Sequence, residues 1–182
     1  MKAGVGLITA ALLCAGPALA ADKGVAVPPP PRSVEFKDVQ AWIDRYVKAD
    51  GWYLSAAYAG GALLISPDTL EVTKKGTIKF WYRTELFAPE YIEGKIIRSY
   101  TSLVEIDCSD ERRRYLAGDA FPQNSLGGEA VESTNDAEAE WEFARPGTVS
   151  EAVGRDVCKY VDKLQEAAKK DTAQPTGLSG HF

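Results

Sequence analysis

Cysteine is the residue type best placed to do chemistry in this chain of 182 residues, which holds three: Cys14, Cys108 and Cys158. Catalysis by a thiol or hydroxyl nucleophile needs a base within reach, usually a buried histidine oriented by a third group. The one histidine, His181, stands next to the C-terminus among Thr, Gln, Pro, Gly and Ser, where nothing would bury it. Cys108 and Cys158 do not form a Cys-x-x-Cys pair, and one histidine with two distant cysteines matches no zinc-ligand spacing. Gly127-Gly128 lacks the strand and helix context of a phosphate loop. Glu105 and Asp107 are candidates for carboxylate chemistry only in the sense that acids are abundant and their pairing in space is invisible here. No enzyme activity, metal or cofactor is expected.

The chemistry that does fit is a structural disulfide. Met1-Lys2, the apolar run Leu7 to Ala15, the break at Gly16-Pro17 and the small-x-small triplet Ala18-Leu19-Ala20 read as a cleaved signal peptide over residues 1–20. The run is too short to span a bilayer. Cys14 follows Leu13, which suits a lipid-attachment site poorly, so lipid anchoring at Cys14 is not expected and that cysteine leaves with the signal. An exported chain folds where disulfides persist. The two remaining thiols, Cys108 and Cys158, therefore read as one bridge.

Two further groups could contact a partner. Arg112-Arg113-Arg114 follows Asp107-Cys108; on a strand, Arg112 and Arg114 would share one face and could offer a cationic patch. The simpler alternative is that they pair with Asp107, Asp110 and Glu111 at the surface, where such pairs contribute little. Trp81 alternates with the apolar set of its strand, so it faces either a second layer or an exposed patch of the kind that binds partners. Arg112, Arg114 and Trp81 are thus the partner-binding candidates. The formal charge is −5, and −6 once Lys2 is removed. An acidic balance argues against nucleic acid as a partner, because phosphate binding depends on clustered cations.

The elements that must position these residues follow from periodicity. Residues 21–32, with Pro28 to Pro31, read as an extended linker, residues 33–170 as a single domain, and residues 171–182 as a disordered tail. Phe36, Val39, Ile43, Tyr46 and Val47 recur at helical spacing with Trp42 flanking the stripe, and Gly51 is the expected cap. Strands are expected over 78–86, with Ile78, Phe80, Tyr82 and Leu86 on one face, and over 96–108. Weaker candidates lie at 113–117, 126–133 and 140–144. Turn signals at Gly60-Gly61, Ser66-Pro67-Asp68, Lys75-Gly76, Glu93-Gly94 and Pro122-Gln123-Asn124 separate them. Short connections imply antiparallel pairing. Thr148-Val149-Ser150-Glu151 has capping-box spacing, and Val149, Val153, Val157, Val161 and Leu164 form the stripe of a last helix. The expected class is α+β: an antiparallel sheet flanked by an N-terminal and a C-terminal helix, with Cys108–Cys158 stapling that last helix to the sheet.

Phe80-Trp81-Tyr82, Tyr100-Thr101-Ser102, Asp107-Cys108 with Arg112 beyond it, Trp141, Pro146-Gly147-Thr148 and Cys158 come in an order that resembles the surface-adhesin protein E-like domain of Gram-negative bacteria. The resemblance covers about residues 78 to 160. It implies an antiparallel sheet with helices, a bridge between the two matching cysteines, and a non-enzymatic protein of the cell envelope that binds envelope or extracellular-matrix proteins. The expected function is an exported, non-catalytic binding module in the periplasm or secreted. The alternatives are a periplasmic domain for a small molecule, or a structural envelope or stress protein.

Overall fold

The structure, a computed structural model, describes residues 26–173. The expected signal segment, Cys14, His181 and residues 174–182 lie outside the described residues.

Helix α1 spans Phe36–Tyr46. Its buried residues are Val39, Trp42 and Ile43, while Phe36 is exposed. The stripe is therefore centred on Trp42, the residue expected only to flank it. Trp42 also explains the approach to the helix: its indole Nε1 donates to the Pro29 carbonyl at 2.8 Å. The Pro-rich segment is thus tied back to the domain at this point. The helix ends at Val47, which is extended, and not at Gly51. Gly51, at φ +74°, serves the following turn, in which the Trp52 N–H donates to the Ala49 carbonyl.

Eight strands follow: β1 (Tyr53–Tyr58), β2 (Gly61–Ile65), β3 (Glu71–Val72), β4 (Ile78–Ile92), β5 (Lys95–Asp107), β6 (Arg112–Phe121), β7 (Glu132–Asn135) and β8 (Glu142–Phe143). They form one antiparallel sheet in the order β1-β2-β4-β5-β6-β7, with β3 added to β4 and β8 to β6. Helix α2, Val149–Ala173, is the last described element and runs into the segment expected to be a tail. β4 outruns the strand expected over 78–86 because its hairpin with β5 continues to the Glu93-Gly94 turn, where both residues have positive φ, while β5 lies within one residue of the expected 96–108 at each end. The strand expected over 126–133 starts later, at Glu132. The chain before it is a 3₁₀ turn, Asn124–Leu126, in which Ser125 and Leu126 take left-handed φ of 65° and 54°.

The sheet is covered on both faces. On one, Leu63, Ile78, Phe80, Val104 and Ile106 pack against Val153, Val157 and Val161 of α2. Leu164, at the end of that stripe, is exposed. Half of the expected capping box forms: the Glu151 N–H donates to Thr148 Oγ1, while Glu151 Oε2 accepts from the N–H of Gly147, one residue before the cap, because the Thr148 N–H is bonded to the Arg145 carbonyl. On the other face, Ala62, Leu64 and Phe87 pack against Val39, Trp42 and Ile43 of α1. The alternate residues of β4 are therefore not all at the surface: Arg83 and Glu85 are buried. No helix among the described residues is long and apolar enough to cross a membrane.

Candidate functional site

The β5–β6 turn sets the geometry of the arginine run. Asp107 Oδ1 accepts from the Ser109 N–H, the Ser109 hydroxyl and the Asp110 N–H, and Glu111 takes φ +53° to return the chain. Cys108, the first residue of the turn after Asp107, bonds to Cys158, with Cα atoms 5.9 Å apart. The bridge joins the turn to the apolar side of α2, as the periodicity of the helix requires.

Alternation along β6 then separates the arginines. Arg112 and Arg114 stand opposite Asp107 and Glu105 on the face away from α2, whereas Arg113 stands opposite Ile106 on the α2 face. Arg114 donates from Nε and Nη2 to Glu105 Oε2, at 2.9 and 2.7 Å. Arg112 pairs with Asp110 and, at 3.4 Å, with Asp107. Trp141 lies beside both guanidiniums, its ring centroid 4.8 Å from Arg114 Cζ and 5.7 Å from Arg112 Cζ. Contacts of this kind contribute about 0.5–1 kcal/mol at exposed sites and more when water is excluded. Arg113 pairs with Glu142 at 3.0 Å and covers Tyr115.

Trp81 belongs to the same face. It faces Leu103 across β4 and β5, Leu103 faces Ala117, and the next row toward the turn is Lys79, Glu105 and Arg114. Of these, Glu105 is buried and the others are half-buried. The structure thus brings the three candidates Arg112, Arg114 and Trp81 onto one sheet face, at the end that the α1 cluster leaves free. Trp141 completes the group. The family resemblance included it and it falls in the weak strand candidate 140–144, but nothing local placed it over the two arginines.

Charges here are tuned by contact. Burial pushes the Glu105 carboxyl up, but bonds from Thr77 and Arg114 outweigh it and hold the group below the usual carboxylate range. The Ser109 hydroxyl leads the contacts that hold Asp107 below its ordinary value. Elsewhere on this face, burial pushes the Glu85 carboxyl up, against the opposing pull of Arg83, Asn124 and the Ser125 N–H. Arg83 Nη1 donates to the Lys48 carbonyl, and Arg98 Nη2 to Asn124 Oδ1 at 2.6 Å, so the 3₁₀ turn is tied to the sheet by a buried polar network. Sequence reasoning missed this network. The only signal was a pair of charged residues, Arg83 and Glu85, at alternate positions of an otherwise apolar strand.

Among the described residues no group of three or more His, Cys, Asp or Glu side chains could hold a metal ion.

A family model described as surface-adhesin protein E matches residues 52–159. The match begins at Trp52, so β1 to β3 fall within it, ahead of the Ile78 at which the sequence resemblance began. Two solved structures of Haemophilus influenzae protein E share the fold. One is 13% identical with a TM-score of 0.50, covering 75% of this chain and 94% of that one. The other, a second crystal form, is 12% identical with a TM-score of 0.51, covering 75% and 98%. No curated protein matches the chain.

Proposed function

Because this chain belongs to the surface-adhesin protein E family, we propose that it is an exported, non-catalytic binding module of the bacterial cell envelope that docks a protein partner. The observation that carries this reading is the Arg112–Trp141–Arg114 stack on the same sheet face as Trp81. Tryptophan and arginine are the side chains most enriched where interfaces concentrate their energy. Holding them on paired strands beside a disulfide lowers the ordering cost of binding. Guanidiniums already engaged with Asp107, Asp110 and Glu105 are preoriented, and arginine can share its remaining donors with a partner carboxylate. Signal-peptide cleavage after Ala20 and release into the periplasm or to the cell surface complete the proposal.

The test is capture of the mature chain, beginning at Ala21, on envelope extracts and on purified extracellular-matrix proteins. Trp81→Ala and the double variant Arg112→Ala/Arg114→Ala should each weaken binding by about tenfold or more. Because Arg114→Ala leaves Glu105 without its main partner, thermal midpoints must be compared, and Trp141→Ala supplies an independent arm. Parental affinity in all three variants at low salt would remove this face as the docking surface.

A further inference from the structure

A cleft of about 260 Å³ opens between α2 and the turn end of β5 and β6, on the α2 side of the sheet. Ile106, the Cys108–Cys158 bridge, Arg113 and Gly154 line it. Gly154 is the informative residue. It sits inside a helix, where glycine is less favourable than alanine. A Cβ built there meets nothing within 4 Å, and its φ is not positive, so neither crowding nor backbone geometry requires glycine. What the missing side chain does is leave the cleft open.

The charges around the opening divide into satisfied and unsatisfied groups. Arg155 is paired with Glu151, and Arg113 with Glu142. Arg113 nevertheless keeps Nη1 buried with no hydrogen-bond partner, a donor that lacks an acceptor. Burying a donor without an acceptor is costly, so Nη1, held with its guanidinium over the Tyr115 ring, has a bond to offer an acceptor in the cleft. At the rim, the exposed Lys159, Glu111 and Asp162 make no ion pair among the described residues. The cleft therefore offers donors and a cation, two free carboxylates, and an apolar surface of Ile106 and the disulfide.

We propose that this cleft binds an amino-acid-sized zwitterion with a short aliphatic side chain. Its carboxylate bonds to Arg113 and Lys159, its ammonium group to Glu111 and Asp162, and its side chain lies on Ile106 and the Cys108–Cys158 bridge. The volume, just under the range of drug-sized pockets, sets the size. Asp107 and Arg112 border both this cleft and the Trp81–Trp141 face, but none of the four groups assigned to the ligand's charges belongs to that face, and the site does not depend on the function proposed there.

The experiment is an NMR titration of the uniformly ¹⁵N-labelled mature chain with L-leucine, and with N-acetyl-L-leucine and L-leucinamide, which each lack one charge. Leucine should shift the amides of Arg113, Gly154 and Lys159 saturably, and each half-ligand should bind at least about tenfold more weakly. Gly154→Leu fills the cleft and should abolish the shifts with the helix content and thermal midpoint retained. Arg113→Met supplies a second variant with the same expectation, should Gly154→Leu fail to fold. The proposal is overturned if leucine gives no saturable shift up to about 10 mM. Equal binding of either half-ligand, or undiminished leucine binding by a folded Gly154→Leu or Arg113→Met, overturns it as well.

Discussion

Glu85 accepts the backbone N–H of Ser125, forty residues along the chain, on both carboxylate oxygens, each at 3.0 Å. The same carboxylate is paired with Arg83 and accepts from Asn124 Nδ2 at 2.9 Å. A loop whose Ser125 and Leu126 both hold left-handed φ is kept in place by an anion on a central strand. Strained backbone of this kind persists only where its surroundings over-determine it.

Removing that anion should be severe. Glu85→Ala leaves the buried Arg83 guanidinium without its carboxylate, a class of change that costs about 3–5 kcal/mol. Urea denaturation measures it. A loss below about 1 kcal/mol would show that water or a neighbouring group replaces the carboxylate.

The disulfide closes fifty residues between β5 and α2. Chain-entropy reasoning assigns such a loop about 4 kcal/mol, a large share of the roughly 5–15 kcal/mol net stability of folded domains. The double variant Cys108→Ala/Cys158→Ala should therefore lower the unfolding free energy by about 2–5 kcal/mol. Labelling of the unfolded, unreduced mature chain should find no free thiol.

Acid should loosen the β5–β6 end. Glu105 and Asp107 are held below their ordinary values of 4.5 and 3.8 when folded. Their stabilisation is complete above those values. As the pH falls through them the unfolded chain takes up protons first, and the contribution is lost as the folded values are passed. Glu85, raised when folded, has the opposite slope, so the comparison must be between variants. Glu105→Gln should show a shallower fall in unfolding free energy between about pH 5 and pH 3 than the parent. Parallel curves would mean that Glu105 is not held low.

Trp42 should report on the Pro-rich segment. Trp42→Phe keeps an aromatic ring next to Phe87, whose centroid lies 5.0 Å away, but removes the donor to the Pro29 carbonyl. The expected cost is about 1 kcal/mol from the hydrogen bond, together with part of the packing. Hydrogen exchange at the described amides before Phe36 should speed up. An unchanged thermal midpoint would show that the segment is not anchored by this bond.

What the sequence by itself determined is what local chemistry controls. The period of Val153, Val157 and Val161, the Thr148–Glu151 box, the antiparallel strands between turn signals and the Cys108–Cys158 pairing all depend on spacing within one segment or on compartment. The tertiary structure decided which charged residues are inside. Arg83 and Glu85 look like the polar half of a strand, yet α1 and the 124–126 turn cover them, and burial by a distant segment leaves no trace in local periodicity. The same holds for Trp141, which becomes part of a site only because β8 pairs with the turn end of β6 and brings it over Arg112 and Arg114. Gly51 and Gly154 failed to declare their roles for a related reason. A glycine records only that a side chain is absent, and whether that absence serves a turn, a cap or an open cleft depends on what the rest of the chain places beside it.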